Sequence, residues 1–395
     1  MAPALPRPVA PDRSRSLQLD AFRGLAAVFM IVNHAGYELL GAAASSPGWQ
    51  SWLVFVGSAA PALFFFATGV GTGFGAGGRE AWASMLRKVV LLLAANLLMS
   101  WGGGGSLNFD FFGFAALSTF VLFLVRRAPR PVATAWLVLA LVIFMRFGLA
   151  PLARGHIERN TFAAFVTGIE PCWFVSYPVG PWLAFPLMGF LLGRAWPAGG
   201  HGEQRVIAAL GLVALGVSTF MAYRGAPVFR WASVSIAYFL SAIGIVALAW
   251  LAAGWLARAR PPTAAALALR GPSSLLIVPL HYGALGLIRA AWPAPLDLAA
   301  WLVATTLLAA GVLLLSRAVV AWARSRQVPA MSSQSAYFLA VIILSGMARA
   351  FAPPLVRLEV CSLGEVVLGL LLLWPNKTSI GRPAVPIEST ARQDG

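Results

Sequence analysis

Three ionisable side chains, Asp20, Arg23 and His34, stand in one largely apolar stretch, LQLDAFRGLAAVFMIVNHAG, residues 17–36. A charge inside a membrane-length helix costs about 2.5–3.5 kcal/mol on insertion scales, so each needs a partner or a task. At about 100° per residue, Asp20 and Arg23 share a helix face and can pair. Arg23 and His34 are eleven residues apart, which returns to within about 20° of the same direction some 16 Å further along the axis. Tyr37 and Glu38 continue that stripe. The helix therefore carries a polar track with a charged pair at one end and an imidazole towards the other. An imidazole, with an unperturbed pKa of about 6.5, can take a proton from a hydroxyl or amine or act as a nucleophile. A guanidinium forks phosphate well. The plainer alternatives are a buried ion pair that pins the helix and a histidine that bonds a neighbouring helix.

A second apolar stretch, GPSSLLIVPLHYGALGLI, carries His281 with Tyr282 beside it. Here too a histidine satisfied by Ser or backbone groups competes with a chemical role. In YPVGPWLAFPLMGFLLGR, residues 177–194, Pro178, Pro181 and Pro186 interrupt or kink a helix. Gly189 and Gly193 offer a small-xxx-small contact. Arg194 ends the run, where it can meet a phosphate or anchor the helix at the interface. Asn96, Asn108 and Asp110 add polar groups near the third and fourth apolar runs, with Asp110 in SLNFDFFG placed to bind a sugar hydroxyl or orient His34. The glycines of GVGTGFGAGG, residues 69–78, are no nucleotide loop, because no strand precedes them and no Lys-Ser/Thr follows.

Read as LD, two residues, RG, and a His eleven positions after the Arg, Asp20, Arg23, Gly24 and His34 resemble the first-helix signature of the membrane-bound acyltransferase superfamily. That group includes the acyltransferase-3 proteins and the heparan-alpha-glucosaminide N-acetyltransferase-like proteins. Met30, Asn33 and Ala35-Gly36 around the histidine, and the PW of the sixth run, lean towards the second branch. Ser274, Leu275 and His281 loosely match the family's late helix, and residues 177–194 its P-x-x-PW and G-x-x-x-GR helix. The resemblance covers about the first 320 residues in outline and is strong only in the first helix. It implies an acyltransferase that moves an acyl group, with acetyl favoured, from cytosolic acyl-CoA to a hydroxyl or amine of a glycan or lipid-linked sugar at the outer face. On that reading His34, Asp20, Arg23 and His281 form the catalytic set. Arg23 and Arg194 bind the donor, and Asp110, Tyr37 and Glu38 meet the acceptor. No metal is implied. Membrane lipid is a partner, and a homo-oligomer stays open.

The rest of the chain must position these groups. It is 59% hydrophobic and 11% charged, which no soluble domain of this length matches. The net charge of +16 does not point to nucleic acid, because the basic residues sit in short clusters between apolar runs with no basic face. Apolar runs at about 19–40, 51–74, 86–101, 109–125, 133–150, 173–193, 206–222, 231–256, 272–289 and 298–316 predict ten core helices. Runs at about 335–351 and 359–374 predict an added C-terminal hairpin, making an all-α polytopic transmembrane bundle. The divisions are a cytosolic tail at 1–18, the core at 19–326, a linker with the hairpin at 327–375, and a cytosolic tail at 376–395. Pro261 and Pro262 are expected to fall in a break. Every second connection is basic, which predicts a cytosolic N-terminus in a bacterial inner membrane, with the first helix an uncleaved anchor. The connection at 151–172, with Arg154, His156, Glu158, Arg159 and Glu170, becomes an outer loop that either covers a site or is merely solvated. Cys172 and Cys361 lack metal-ligand spacing and would pair only if both face an oxidising side. A transporter using the same polar track is the alternative; inverted repeats would favour it, and none is visible. A non-catalytic subunit fits poorly with buried Arg and His.

Overall fold

The computed structural model describes residues 17–41, 49–74, 81–103, 108–152, 155, 160–168, 175–195, 201–226, 234–325 and 331–373. The basic N-terminal tail, the parts of the 151–172 connection that hold Arg154, His156, Glu158, Arg159, Glu170 and Cys172, and the C-terminal tail lie outside the described residues. The described chain is helical, with no strand beyond an isolated bridge between Phe109 and Val175. Each of the twelve expected runs is present as helix. Eight described helices are long and apolar enough to cross a membrane, and exposed apolar side chains such as Leu210, Val213 and Phe220 form the lipid-facing surface. This is a multi-pass membrane protein.

The helices are α1 (Leu17–Leu39), α2 (Trp49–Gly57), α3 (Ala60–Phe74), α4 (Trp82–Gly102), α5 (Phe111–Arg127) and α6 (Pro131–Leu152), the last closing in a π turn. There follow α7 (Thr161–Thr167), α8 (Val179–Ala195), α9 (His201–Tyr223), α10 (Ile236–Ala259), α11 (Pro261–Leu267) and α12 (Ile277–Ala291). The chain then forms α13 (Leu298–Ser325), α14 (Met331–Phe351) and α15 (Pro354–Leu373). Two departures from expectation have local causes. The run at 51–74 breaks at Ser58 and Ala59, so α2 steps aside from α3. Pro261 and Pro262 start the short helix α11 rather than lie in a break, since a proline at the first helical position has no N–H to lose and a pre-set φ.

α1 is the hub, packing on α2, α3, α10, α11, α12 and α13. Gly24 makes one of these approaches possible: a Cβ there would stand 1.9 Å from the Leu267 carbonyl oxygen. The Gly of the RG pair is thus required by the close seat of α11 on α1. α8 and α3 form the most extensive helix pair. The expected Gly189 and Gly193 face meets Gly69 and Gly73, and a Cβ at any of the four would stand 2.0–2.5 Å from a backbone oxygen of the facing helix. The glycines that superficially suggest a phosphate loop therefore serve backbone-to-backbone helix packing. α15 packs on α4 and on α12, and Arg87 of α4 donates to the Leu371 carbonyl at 2.6 Å and to Gln334 at 2.8 Å. The hairpin thus lies directly behind two helices that carry site residues.

Candidate active site

A cavity of about 420 Å³ opens among α1, the α2–α3 step, α4, the start of α5 and α12. His34 and Tyr37 reach it from α1, Ser58 from the step, Asp110 and Phe111 from α5, Tyr177 from the segment before α8, and Tyr282 from α12. Tyr177 is held from below by an aromatic cluster. Its ring centroid lies 5.6 Å from Phe65 and 4.9 Å from Trp182, and Phe65 also stacks on Phe111 at 5.2 Å. Tyr238 fixes the step by donating its O–H to the Ser58 carbonyl at 2.8 Å.

The two histidines, 247 residues apart in sequence, meet here. His34 Nδ1 lies 2.6 Å from His281 Nε2, with the rings stacked at 4.9 Å. The neighbouring bonds assign the protons. His281 Nδ1 is 2.7 Å from the Ile277 carbonyl oxygen, which can only accept, so His281 Nδ1 carries hydrogen. In the neutral ring its Nε2 is then the acceptor and His34 Nδ1–H the donor. That leaves the lone pair of His34 on Nε2, where the Tyr282 hydroxyl approaches at 3.3 Å. The chain Ile277 C=O, His281, His34 ends in a basic nitrogen beside the cavity.

Asp110 is the N-cap of α5, its Oδ1 accepting from the Phe111 N–H at 2.7 Å. Its Oδ2 stands 3.5 Å from Asn108 Nδ2. Asn96 organises this turn. Its Oδ1 accepts from the N–H groups of Asp110 at 2.9 Å and Gly113 at 3.0 Å, and its Nδ2 donates to the Asn108 carbonyl at 2.7 Å. Asp110 and His34 line the same cavity. Tyr37 stands at its exposed side, 48% accessible, whereas Glu38 pairs with Arg289 of α12 and so ties the C-terminal ends of α1 and α12 together.

Arg23 and Asp20 form the expected ion pair, Arg23 donating to Asp20 Oδ1 at 2.8 Å with both side chains largely buried. Arg23 also packs on the Gly71 position of α3. Arg194, at the end of α8, lies over the Phe190 ring at 5.4 Å, and its buried Nε has no hydrogen-bond partner among the described residues. Gly73 packs against the Arg194 backbone nitrogen. The final turns of α3 therefore bring Arg23 and Arg194 to one end of the bundle, about 16 Å of helix rise from His34. The structure thus divides the sequence-derived residues into three groups: His34, His281, Asp110 and Tyr37 at or behind the cavity, Asp20, Arg23 and Arg194 at the opposite end, and Glu38 in an interhelical clamp.

Ser58 and Tyr177 have no signal in the sequence that assigns them to the cavity. Tyr282 has one only through its adjacency to His281. A family model described as heparan-alpha-glucosaminide N-acetyltransferase, catalytic, matches residues 15–206. Nothing among the curated proteins or the solved structures matches the chain.

Proposed function

We propose, from the match of residues 15–206 to the heparan-alpha-glucosaminide N-acetyltransferase catalytic model, that the chain is a membrane acetyltransferase working at His34. The donor is acetyl-CoA from the cytosol, and the acceptor is a hydroxyl or amine of a sugar presented at the outer face of a bacterial inner membrane. The observation that carries this reading is the His281-backed His34, whose unprotonated Nε2 stands beside a cavity lined by Asp110, Tyr177 and Ser58.

The residues divide the work as follows. Arg194, with an unpartnered buried Nε, and Arg23 meet the donor phosphates at the cytosolic end through charge-assisted hydrogen bonds. The pantetheine arm spans the rise to the cavity. Asp110 Oδ2 accepts from an acceptor hydroxyl and so orients it. As the acceptor oxygen or nitrogen attacks the thioester carbonyl, its proton passes to His34 Nε2. The C–S bond breaks, and the departing thiolate takes that proton from the imidazolium. His281 Nε2 accepts the Nδ1–H throughout, which stabilises the cation that forms on His34. Tyr282, at hydrogen-bond distance from Nε2, is displaced by the acceptor and left able to donate to the oxygen on which charge develops.

Purified protein given radiolabelled acetyl-CoA tests the reading. Label in a sugar, or released to water as acetate, supports an acetyltransferase. Saturable uptake of label into liposomes with no transfer would replace it by transport.

A further inference from the structure

A second cavity, about 440 Å³, runs along the outside of the wall that bounds the first. Leu25 and Phe29 of α1, Phe55 of α2, Leu215 of α9, and Ile245 and Ala252 of α10 line it. Its polar side chains offer little to a polar ligand. Ser218 donates to the Ala237 carbonyl at 2.7 Å and shares a hydrogen bond with Ser241. α9 and α10 are membrane-spanning by length and composition, so the groove faces hydrocarbon.

Three observations say what fits it. The first is length. Along α10 it extends from Ser241 to Ala252, which by helix rise is about 16 Å, or roughly half of a 30 Å hydrocarbon core. That is the depth of one leaflet. The second is level. Tyr238, one turn before Ser241 on α10, donates to the Ser58 carbonyl, and Ser58 lines the catalytic cavity. The groove therefore starts at the depth of the site and runs away from it, towards Leu25, nine residues before His34 on α1. The third is the shared wall. On α1, Phe29 lines the groove and Met30 and His34 the cavity; on α2, Val56 lines the groove and Gly57 the cavity. Gly57 seats on the Phe29 carbonyl and Asn33, where a Cβ would stand 2.7 and 2.9 Å away. At this point Gly57 adds no side chain to the partition.

We propose that the acceptor is a lipid. Its hydrocarbon chain lies in the groove between α1, α2, α9 and α10, and its sugar head is thereby held at the depth of His34. The proposal rests on acetyl transfer at His34 and names the acceptor class for it. A hydroxyl or amine of the head gives its proton to His34 Nε2 and forms the new O–C or N–C bond to the acetyl group. The C–S bond breaks, and the proton leaves on CoA.

The test compares acetyl-CoA-dependent acetylation of methyl and dodecyl β-glucosaminide by the full chain in nanodiscs, for wild type, Ala252→Leu and Ala252→Trp. Ala252 is exposed at the far end of the groove, so larger side chains shorten the groove without entering the core. The expected result is at least a tenfold preference in kcat/KM for the dodecyl compound. That preference should fall stepwise through Leu to Trp, while the rate on the methyl compound stays unchanged and the melting temperature is held. Equal use of both glycosides by wild type, or an equal loss on both in a folded Ala252→Trp protein, overturns the lipid acceptor and leaves the transferase standing. Bound lipid lost from Ala252→Trp in native mass spectrometry, with transfer to the dodecyl compound unaltered, reduces the groove to a structural lipid site and likewise overturns it. Acetylation of neither glycoside by wild type removes sugar acetylation itself, and this proposal with it.

Discussion

His34 and His281 occupy unequal places in one relay, and their substitutions should have unequal effects. Removing the imidazole of His34 removes the proposed base, for which general-base catalysis contributes about 10²–10⁴-fold. Removing His281 leaves the base in place but takes away the acceptor 2.6 Å from its Nδ1–H. An unmade buried hydrogen bond costs about 1–3 kcal/mol. If the whole loss appears in the transition state, 1.36 kcal/mol per factor of ten makes His281→Ala about 5–150-fold slower. His281→Gln keeps an oxygen able to accept from Nδ1–H and should recover part of that loss. Both effects should fall on kcat, because the donor phosphates sit about 16 Å away by helix rise. The assay is single-turnover transfer from radiolabelled acetyl-CoA, with donor affinity measured separately by calorimetry in detergent. A His281→Ala protein as fast as wild type, beside an inactive His34→Ala, would show the contact to be packing only. A His281→Ala protein slower than His34→Ala would put His281 itself on the reacting atoms. Labelled acyl-protein that builds up without acceptor, and is absent in His34→Ala, would make His34 a nucleophile instead of a base.

Three further outcomes are expected. Replacing Arg23 alone removes the group bonded to Asp20 Oδ1, and breaking a buried ion pair from one side costs about 3–5 kcal/mol; the paired change Asp20→Asn with Arg23→Gln should fold and weaken acetyl-CoA binding, and unchanged affinity by calorimetry would leave the pair structural. Gly24→Ala places a Cβ 1.9 Å from the Leu267 carbonyl oxygen and should destabilise by about 1–3 kcal/mol or more through overpacking, seen as a lower melting temperature in detergent. A cysteine at Ser14 should be protected from an impermeant thiol reagent in intact cells and one at Asn160 labelled; the reverse pattern would invert the membrane orientation and exchange the donor and acceptor ends.

The first helix was legible because polar side chains in an apolar run are costly and so stand out. Asp20, Arg23 and His34 could be paired and aligned from the 3.6-residue period alone. The twelve apolar runs were legible for the same reason, since hydrophobic length reports a span without any knowledge of its neighbours. What periodicity cannot report is which helices meet. Only the family resemblance grouped His34 with His281; by spacing alone, each is as well read as a satisfied core histidine. The glycines at 69–73 were read only as lacking a nucleotide-loop context, because their counterparts at 189–193 lie on a helix more than a hundred residues away. Asn96 looked like a stray polar group until the turn at 108–113 closed onto it. Proline misled at 261–262, where its preference for helix starts prevailed over its reputation as a breaker.

The matched family segment ends at residue 206, yet His281 and Tyr282, which orient and cover His34, come from α12. The second half of the chain therefore supplies two of the side chains that touch His34. α15 extends this dependence one layer outwards. Cys361 packs at Gly102 of α4, Gly364 at Leu98, and Gly369 at Leu276, just before α12. α4 carries Asn96, which holds Asp110, and α12 carries His281. The histidine that backs His34 and the asparagine that holds Asp110 are thus both set on helices whose backs lean on the same C-terminal helix. Displacing α15 would disturb the supports of both Asp110 and His34, and with them the distance on which the proposed transfer depends.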